Sequence, residues 1–280
     1  MSALSDLDAI IRQNITAALQ EDLRSGDLTA QLIPAGQTGH ARVITRQEAI
    51  LCGTAWFEGC FKALDPDCTI VWHGQEGERA HAGQLLCEIR GNARALLSAE
   101  RSGLNFLQTL SAVATLTGRY VDAVAGTHAK ILDTRKTLPG LRLAEKYAVK
   151  VGGGHNQRIG LFDGILIKEN HILAAGGIRP ALEQAFKLAT PGVTVQIEVE
   201  TLTQLDEALD AGAKLILLDN FDLDGMRTAV ERTGGRAELE ASGGINLQTV
   251  RAIAETGVDR ISIGGLTKDI QAVDLSMRFE

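Results

Sequence analysis

The stretch VTVQIEVETLTQLDEALDAGAKLILLDN, residues Val193–Asn220, carries the pattern that decides the fold. Its first part alternates apolar and polar side chains, which is the period of a β-strand. The segment TQLDEALDAG then has the spacing of an amphipathic helix, and KLILLD is an apolar run typical of a buried strand. Strand–helix–strand units of this kind place their strands parallel, with a right-handed connection. The stretch therefore predicts a parallel α/β fold.

The same alternation repeats from Lys130 to Gly265. Helical segments separate six strand-like runs: KILDT, DGILIKEN, VTVQIEVE, KLILLD, RAELEAS and DRISIGG. A (β/α) barrel, complete or incomplete, is the arrangement that this pattern favours. A doubly wound open sheet is the alternative. No G-x-G-x-x-G motif follows an early strand, so the dinucleotide-binding form of that sheet is disfavoured.

The earlier part of the chain lacks this regular alternation. Ser5 and Asp6 are placed to cap a first helix. The runs ARVITRQEAILCG and TIVWHG read as strands on either side of the helix AWFEGCFKAL. The run NARALLSAERSGLNFLQTLSAVATLTGRYVDAVAG is long and helical, and we expect Gly103 and Gly118 to divide it. A mixed α/β region before the barrel is the prediction.

Composition places the 280 residues, 45% hydrophobic and 22% charged, among globular proteins. The segment MSALSDLDAIIRQNI is acidic and amphipathic, unlike a signal peptide, and no run reaches the roughly 20 apolar residues of a membrane helix. We therefore expect a cytoplasmic protein with no membrane partner. The cysteines lack the spacing of a metal or redox site, so free buried thiols are expected. They are Cys52, Cys60, Cys68 and Cys87.

Charge is distributed unevenly along the chain. The net charge of −7 disfavours nucleic acid as a partner. Between Lys130 and His171, however, eight basic residues stand against four acidic ones, a local balance of +4. A basic segment in an acidic protein indicates an anionic ligand. The alternative is a solvated helix face, which would account for Lys146 and Lys150.

Polar side chains stand at the carboxyl ends of the six strand-like runs, the edge where barrels of this class hold their active sites. Along VTVQIEVE, we expect Gln196, Glu198 and Glu200 to face the site while the apolar residues between them pack on helices. Helix capping explains one polar strand end more readily than six. The ends are Asp133–Lys136, Lys168–Asn170, Glu198–Glu200, Asp219–Asn220, Ser242–Gly244 and Gly264–Gly265.

Adjacent glycines follow the last two strands, in EASGGI and ISIGGL. Glycine lets backbone N–H groups approach a phosphate closely, and the start of a helix adds a favourable dipole. Barrels of this type often bind phosphate at these two loops. A phosphate site is therefore predicted at Ser242, Gly243, Gly244, Gly264 and Gly265.

Cations and carboxylates occupy the other strand ends. Glu198 and Asp219 are suited to hold Mg²⁺ or sugar hydroxyls, while the cations neutralise further anionic groups. A metal-associated sugar phosphate fits both signs of charge. Lys168 has a second interpretation, as a Schiff-base lysine of an aldolase. The cations are Arg135, Lys136, Arg158 and Lys168.

These segments resemble one family in particular. ERSGLNFLQTLSAVAT, LDTRKTLPGLR, KYAVKVGGG, LIKENHI, LLDN and EASGGI are similar to nicotinate-nucleotide pyrophosphorylase (carboxylating), also called quinolinate phosphoribosyltransferase. The resemblance covers nearly the whole chain. Its most specific part is the run Thr134–Arg142 followed by Lys168–His171.

The resemblance implies a type II phosphoribosyltransferase of two domains. An N-terminal α/β sandwich would span residues 1–112 and be rejoined by the tail 269–280, and an open α/β barrel of fewer than eight strands would span 113–268. The implied reaction converts quinolinate and phosphoribosyl pyrophosphate into nicotinate mononucleotide, pyrophosphate and CO₂, in de novo NAD biosynthesis. Mg²⁺ is the implied cofactor, and a homodimer or higher homo-oligomer with the site at the subunit interface is the implied assembly.

The resemblance also implies roles for individual residues. Arg101 would enter the partner's active site, and Arg142, His155 and Gln157 are further candidates for substrate binding. Catalysis would rest on four residues: Lys136, Lys168, Glu198 and Asp219. The carboxylates of quinolinate would meet Arg135, Arg158 and Lys168. The pyrophosphate would meet Lys136 and Lys168, the ribose hydroxyls and Mg²⁺ would meet Glu198 and Asp219, and the 5′-phosphate would meet Ser242–Gly244 with Gly264 and Gly265.

One segment departs from the family pattern. The family commonly has Gly-Gly-Gly-x-Asn-His-Arg, whereas this chain has Gly152-Gly-Gly-His-Asn-Gln-Arg158. Gln157 can donate a hydrogen bond to a carboxylate but carries no charge. His155 is expected to have a structural or peripheral role.

Two other functions are open on the sequence alone. A related phosphoribosyltransferase could act on another small pyridine acid without decarboxylation. A non-catalytic phosphate-sensing barrel would keep the glycine loops and lose the chemistry. The basic and acidic strand ends favour an enzyme over the sensor.

Overall fold

The computed structural model describes residues 7–280, which form two compact units. The first unit comprises the described part of Met1–Gly118 together with Thr137–Gly153 and Thr267–Glu280. The second unit comprises Arg119–Lys136 and Gly154–Leu266.

The first unit packs helices against an antiparallel sheet. Its elements are α1 (Leu7–Leu23), a 3-10 helix (Ala30–Leu32), β1 (Thr38–Thr45), β2 (Ala49–Ile50), α2 (Thr54–Leu64), β3 (Thr69–Trp72), β4 (Arg79–Ala80), β5 (Leu85–Asn92), α3 (Ala93–Ala123), α4 (Arg142–Val151) and β12 (Leu275–Phe279). The main sheet has the order β12-β1-β5-β3, and β2 pairs with β4. The predicted cap of α1, at Ser5 and Asp6, lies outside the described residues.

The core of this unit forms between the sheet and two helices. Val43 of β1 and Ile89 of β5 are fully buried, as are Phe57 and Phe61 of α2 and Leu107 of α3. The rings of Phe57 and Phe61 lie 4.7 Å apart between centroids. This arrangement of helices on one sheet confirms the α/β sandwich. The four cysteines are free and buried, as predicted.

Helix α3 runs without interruption from Ala93 to Ala123, so the prediction that Gly103 and Gly118 divide it is wrong. Both glycines make room for neighbours instead. A Cβ atom at Gly103 would lie 2.9 Å from the ring of Phe61, and one at Gly118 would lie 2.6 Å from Ile50 Cδ1. Packing against α3 compensates for the weak helix propensity of glycine.

Helix α4 buries two charged side chains. Glu145 and Lys146 are fully buried, so the prediction of a solvated face at Lys146 is wrong, whereas Lys150 is exposed as predicted. Burial raises the pKa of Glu145 to about 8, although the Leu138 N–H and the Arg142 charge act in the opposite direction. Leu138 N donates to Glu145 Oε2 at 3.2 Å. The Glu145 carboxyl is therefore largely protonated at neutral pH.

The second unit is a six-stranded parallel sheet with helical connections. Its elements are β6 (Lys130–Leu132), β7 (Gly164–Ile167), α5 (Glu169–Ala175), α6 (Ile178–Leu188), β8 (Thr194–Val199), α7 (Leu202–Asp210), β9 (Leu215–Asp219), α8 (Leu223–Thr233), β10 (Glu238–Ser242), α9 (Val250–Ala254) and β11 (Arg260–Ser262), and α10 (Gly265–Lys268) follows. The strand order is β6-β11-β10-β9-β8-β7, with β6 and β7 at the two edges. All six predicted strands are present, in the open, barrel-like arrangement.

Local signals in the sequence set the boundaries of the helices. Thr201 caps α7, because its Oγ1 accepts a hydrogen bond from Gln204 N at 3.2 Å. Asp222 caps α8 in the same way, through Gly225 N at 2.7 Å. Gly234, with φ +53°, ends α8 in the left-handed conformation that glycine adopts at low cost. Two of these caps, at Thr201 and Asp222, begin the helices that follow β8 and β9.

Glu145→Gln is expected to stabilise the protein more at about pH 8.5 than at about pH 5.5. A glutamate in the unfolded chain ionises near pKa 4.5, whereas the folded protein keeps the proton until about pH 8, so stability is lost as the pH rises through this window. Glutamine keeps an acceptor oxygen for the Leu138 N–H and has no charge to bury. Each pKa unit is worth about 1.4 kcal/mol. The increase in the free energy of unfolding caused by Glu145→Gln should therefore be larger at about pH 8.5 than at about pH 5.5 by about 2 kcal/mol or more.

Urea unfolding at the two pH values measures this difference. The exposed Glu183, on α6, provides a matched control as Glu183→Gln. A gain from Glu145→Gln that is the same at both pH values would mean that Glu145 is ionised in the folded protein at neutral pH.

Candidate active site

The carboxyl edge of the parallel sheet collects the polar strand ends of the second unit. The strands run in one direction, so their carboxyl ends meet at the same edge. The register pairs Asp219 of β9 with Ser242 of β10. It also pairs Glu198 of β8 with Leu217, two residues before the end of β9. Three predicted site residues therefore come from neighbouring strands.

Lys168 and Glu198 form an ion pair across two adjacent strands. Lys168 Nζ lies 2.9 Å from Glu198 Oε2, and the side chains are 46% and 9% exposed. Lys168 is also the residue before α5, and its backbone N donates to His171 Nδ1 at 3.0 Å. An ammonium held by a carboxylate binds anions more readily than it forms a Schiff base, which needs the neutral amine. The geometry favours the anion-binding interpretation of Lys168.

Two guanidinium groups repel one another near the start of β7. Burial, followed by the positive charge of Arg135, lowers the pKa of Arg158, while Asp163 acts in the opposite direction. Arg158 Nη1 donates to the carbonyl of Gly164 at 3.2 Å. Asp163 also accepts the backbone N–H groups of Ile159 and Gly160, both at 2.8 Å, which fixes the turn after Arg158. Like charges held together in a half-buried place favour an anion between them.

Lys136 lies over the last glycine loop. A Cβ atom at Gly264 would be 2.9 Å from Lys136 Cδ and 3.7 Å from Thr134 Oγ1, so the lysine packs directly on the glycine. Thr134 Oγ1 accepts a hydrogen bond from Lys136 N at 3.1 Å, which holds the turn after β6. The structure thus brings an exposed ammonium to the loop that was predicted to bind phosphate.

Asn220 connects the end of β9 to the first glycine loop. Its φ of +55° is unusual for a residue other than glycine. The side-chain Nδ2 donates to Asp219 Oδ2 at 3.0 Å, and the backbone N donates to the Ser242 carbonyl at 3.1 Å. Asn220 Oδ1 would lie 2.1 Å from a Cβ atom at Gly243, whose φ of +104° also requires glycine. Asn220 therefore fixes Asp219 relative to the loop Ser242–Gly244.

The segment that departs from the family motif follows α4 and runs beside the edge strand β6. His155 forms an isolated parallel bridge with Leu132, and its side chain is exposed. Gln157 Nε2 donates to Gln196 Oε1 at 2.7 Å, and Gln157 N donates to Asp133 Oδ1 at 2.9 Å. Thus His155 lies at a strand edge, whereas Gln157 points into the polar interior of the unit.

Two predicted site residues belong to the first unit. Arg101 is exposed on α3 and lines a cavity of about 390 Å³, whose other walls come from α1 and from the segment 139–141. Arg142 begins α4, and its Nε donates to Thr137 Oγ1 at 3.0 Å. The remaining candidates all belong to the second unit.

Sequence reasoning named the charged members of the site but missed the residues that hold them. Three contacts were missed. His171 accepts from the backbone of Lys168, the Asn220 amide donates to Asp219, and Gln196 donates to the buried Glu240. A signal existed for His171, because an acceptor three residues after a helix cap is a known capping pattern. Gln196 was expected to face the site, but its partner stands far away in sequence.

Residues 7–280 contain no group of three or more His, Cys, Asp or Glu side chains arranged to hold a metal ion. Carboxylates suited to Mg²⁺ are present at Glu198 and Asp219. Mg²⁺ commonly keeps several waters and binds through one or two carboxylates together with substrate phosphates. The site therefore fits Mg²⁺ that is carried by a phosphorylated substrate.

Within residues 7–280, no helix has the length and apolar character to cross a membrane.

Comparison with known families identifies the class. The family model "Quinolinate phosphoribosyl transferase, N-terminal domain" matches residues 27–111, and the model of the corresponding C-terminal domain matches residues 113–278. Together the two matches cover most of the chain. The chain belongs to the quinolinate phosphoribosyltransferase family.

Individual relatives agree with this membership. A nicotinate-nucleotide pyrophosphorylase (carboxylating) of Mycobacterium leprae is 42% identical over 95% of this chain and 96% of its own length. A quinolinate phosphoribosyltransferase (decarboxylating) of Nicotiana tabacum is 37% identical over 96% of this chain and 82% of its own. The solved nicotinate-nucleotide pyrophosphorylase of Francisella tularensis has a TM-score of 0.94 at 44% identity, covering 97% of this chain and 96% of that one.

Asn220→Ala is expected to be less stable than Asn220→Gly by about 1 kcal/mol. At positive φ the Cβ atom of alanine crowds the backbone, and glycine has no Cβ atom. Both variants lose the amide that donates to Asp219. Chemical denaturation of the two variants measures the difference directly. Equal stability, or a more stable alanine variant, would show that the backbone relaxes out of the left-handed conformation and that residue 220 is not held by the loop Ser242–Gly244.

Proposed function

We propose that this protein converts quinolinate and phosphoribosyl pyrophosphate into nicotinate mononucleotide, pyrophosphate and CO₂, a step of de novo NAD biosynthesis. Membership of the family across both domains supports the reaction. The observation that carries the choice of substrate is the pair Arg135 and Arg158, two like charges close enough together that Arg135 contributes to lowering the pKa of Arg158. We place the reaction in the cytoplasm, since the four cysteines are free thiols, as is usual in reducing compartments.

The two carboxylates of quinolinate bind the guanidinium pair in this proposal. Arg158 is half-buried, and a guanidinium matches a carboxylate with two parallel hydrogen bonds. A dicarboxylate between Arg135 and Arg158 replaces a repulsion with two attractions. Lys168, whose ammonium binds Glu198 of β8, is the third cation of this proposed site. His155 is a further member of this proposed substrate site.

Phosphoribosyl pyrophosphate lies along the rest of the strand edge. Lys136 and Lys168 bind the pyrophosphate, and Glu198 and Asp219 bind the ribose hydroxyls. The 5′-phosphate binds the backbone N–H groups of the two glycine loops. The positive φ values of Gly243 and Gly244, +104° and +61°, favour glycine, and the absence of side chains there lets an anion approach the backbone N–H groups closely. These loops are Ser242–Gly244 and Gly264–Gly265.

Mg²⁺ is proposed to arrive with the pyrophosphate. Glu198 and Asp219 would hold it directly or through water, and it would offset the charge that builds up on the leaving group.

The chemistry needs no organic cofactor. The pyridine nitrogen of quinolinate displaces pyrophosphate from C1 of the ribose, and the lysines stabilise the departing anion. The carboxylates of Glu198 and Asp219 favour the positive charge that develops near C1. The alkylated ring nitrogen is then cationic and stabilises the carbanion that remains on the adjacent ring carbon when its carboxylate leaves as CO₂. A proton from solvent completes the product.

Selectivity follows from the same pair of cations. A half-buried guanidinium left without its carboxylate costs about 1–3 kcal/mol, and each ~1.4 kcal/mol is a tenfold change in affinity. Nicotinate, which lacks the second carboxylate, should therefore be used at least about tenfold less efficiently. A non-decarboxylating enzyme for another small pyridine acid is the second candidate. It is favoured only if a monocarboxylate is the better substrate.

We also propose a homodimer, or a higher homo-oligomer, in which Arg101 completes the partner's site. Arg101 is exposed beside a cavity of about 390 Å³. Apolar side chains are exposed on each unit: Leu28 and Leu32 at 82% and 84%, and Leu161 and Phe162 at 75% and 73%. Exposed apolar groups of this size are typical of surfaces that a second protein covers.

Arg135→Ala is expected to lower kcat/KM for quinolinate about 10- to 100-fold, because one carboxylate loses its charged partner. Thermal stability should change little, since the substitution also removes the repulsion with Arg158. The control is Arg227→Ala, which removes an exposed guanidinium that pairs with Asp224 at 2.6 Å. Equal losses of activity and stability in Arg135→Ala would assign Arg135 a structural role and remove the support for quinolinate.

Hybrid dimers test the contribution of Arg101. Arg101→Ala and Lys168→Ala are each expected to be inactive as homodimers. A hybrid purified through two different tags has one site with both residues if Arg101 crosses the interface, and should show about half the wild-type activity. If Arg101 served its own protomer, both sites of the hybrid would lack one residue and the hybrid would be inactive.

A further inference from the structure

The side chain of Gln157 is fully engaged inside the second unit. Its Nε2 donates to Gln196 Oε1 at 2.7 Å and approaches Glu240 Oε1 at 3.4 Å. Its Oε1 accepts the backbone N–H of Arg158 at 2.9 Å. Both ends of the amide therefore bind protein groups. Little hydrogen-bonding capacity is left for a substrate.

A buried carboxylate fixes the direction of these hydrogen bonds. Glu240 is 1% exposed and accepts from Gln196 Nε2 at 3.0 Å. Glu240 Oε1 also accepts from Gln157 Nε2, so the two carboxylate oxygens face the NH₂ groups of both amides and Gln196 turns its carbonyl toward Gln157. Gln157 must then present its own NH₂ group. Arg260 Nε, 3.7 Å from Glu240 Oε2, balances the charge.

The backbone of the same residue is held from the opposite side. Gln157 N donates to Asp133 Oδ1 at 2.9 Å, and Asn156 Nδ2 donates to Asp133 Oδ2 at 2.6 Å. Asp133 is fully buried at the end of β6. Residue 157 is thus fixed by β6 through its backbone and by β8 and β10 through its side chain. Arg158, the next residue, has its backbone N–H held by the Gln157 amide.

We propose that Gln157 is a positioning residue that aligns Arg158 and does not itself contact the substrate. Residue 157 is held by Gln196, Glu240 and Asp133, and its side chain in turn holds the backbone N–H of Arg158, from which the guanidinium extends. This inference rests on the proposed function, in which Arg158 binds a carboxylate of quinolinate. It replaces the expectation, drawn from the family motif, that Gln157 donates to that carboxylate.

The first test uses Gln157→Met, which keeps the length of the side chain and removes its hydrogen bonds. We expect KM for quinolinate to rise about tenfold, with kcat and the KM for phosphoribosyl pyrophosphate within about twofold. The matched control is Gln184→Met, at an exposed position on α6. The loss should largely vanish in an Arg158→Ala background, because there is then no guanidinium to align. A loss that persists undiminished in that background would show that Gln157 contacts the substrate directly.

The second test introduces a titratable group. Neutral histidine in Gln157→His can donate to Gln196 and accept from Arg158 N, whereas protonated histidine only donates. Charged groups around this position include Glu240, Asp133, Arg260 and the adjacent Arg158. We expect kcat/KM for quinolinate, relative to wild type, to fall severalfold on lowering the pH from about 8 to about 5.5. A ratio that does not vary with pH would contradict the role of the acceptor oxygen.

Hydrogen–deuterium exchange of the ligand-free protein separates this inference from the proposed function. In Gln157→Met, a peptide spanning residues 155–163 should exchange about tenfold faster at the Arg158 amide than in wild type. If wild type fails to turn over quinolinate, the proposed function fails, and the exchange result still decides whether Gln157 holds Arg158. Unchanged exchange together with an unchanged KM would overturn the inference.

Discussion

The carboxyl edge of the parallel sheet is the constraint on which the site depends. Six strands that run in one direction bring side chains from distant parts of the sequence to the same edge, and Asp219 and Ser242 stand side by side there through the strand register alone. The edge carries cations close to one another, among them Arg135 and Arg158. Burial and the charge of Arg135 lower the pKa of Arg158, which indicates that this arrangement of cations has a free-energy cost in the free protein. An anionic substrate lowers that cost when it binds.

The structure limits this cost through a layer of supporting contacts. Glu198 holds the Lys168 ammonium at 2.9 Å, so one cation is neutralised before a substrate arrives. Asn220 holds the Asp219 carboxylate through its amide and is itself held in a left-handed conformation beside Gly243. Glycine at position 264 leaves room for Lys136. Each reactive group is therefore oriented by a neighbour that the strand or loop provides, which is what a preorganised site requires.

Much of this could be predicted from the sequence because its signals are local. The six strands follow from apolar runs with polar ends, and the helix caps follow from single residues such as Thr201 and Asp222. The predictions that were wrong concern packing. Gly103 and Gly118 do not break α3, since the neighbouring Phe61 and Ile50 need the space that glycine leaves.

The positions of Lys146, Gln157 and Asn220 show why the rest could not be predicted. Lys146 is a charged residue that follows another charged residue, Glu145, and only the tertiary packing of α4 buries it. The partners of Gln157 stand 39 and 83 residues away along the chain, so no local pattern links them. The positive φ of Asn220 is imposed by contact with the next strand and its loop. Propensity and periodicity contain no information on such contacts.

The most direct test of the central claim is the stoichiometry of the reaction of the purified protein. Quinolinate, Mg²⁺ and phosphoribosyl pyrophosphate are incubated with it, released CO₂ and mononucleotide are counted, and nicotinate replaces quinolinate in a parallel tube. We predict one CO₂ for each mononucleotide from quinolinate and little product from nicotinate. Mononucleotide formed efficiently from nicotinate, with no CO₂, would contradict the claim that the guanidinium pair at the carboxyl edge selects a dicarboxylate.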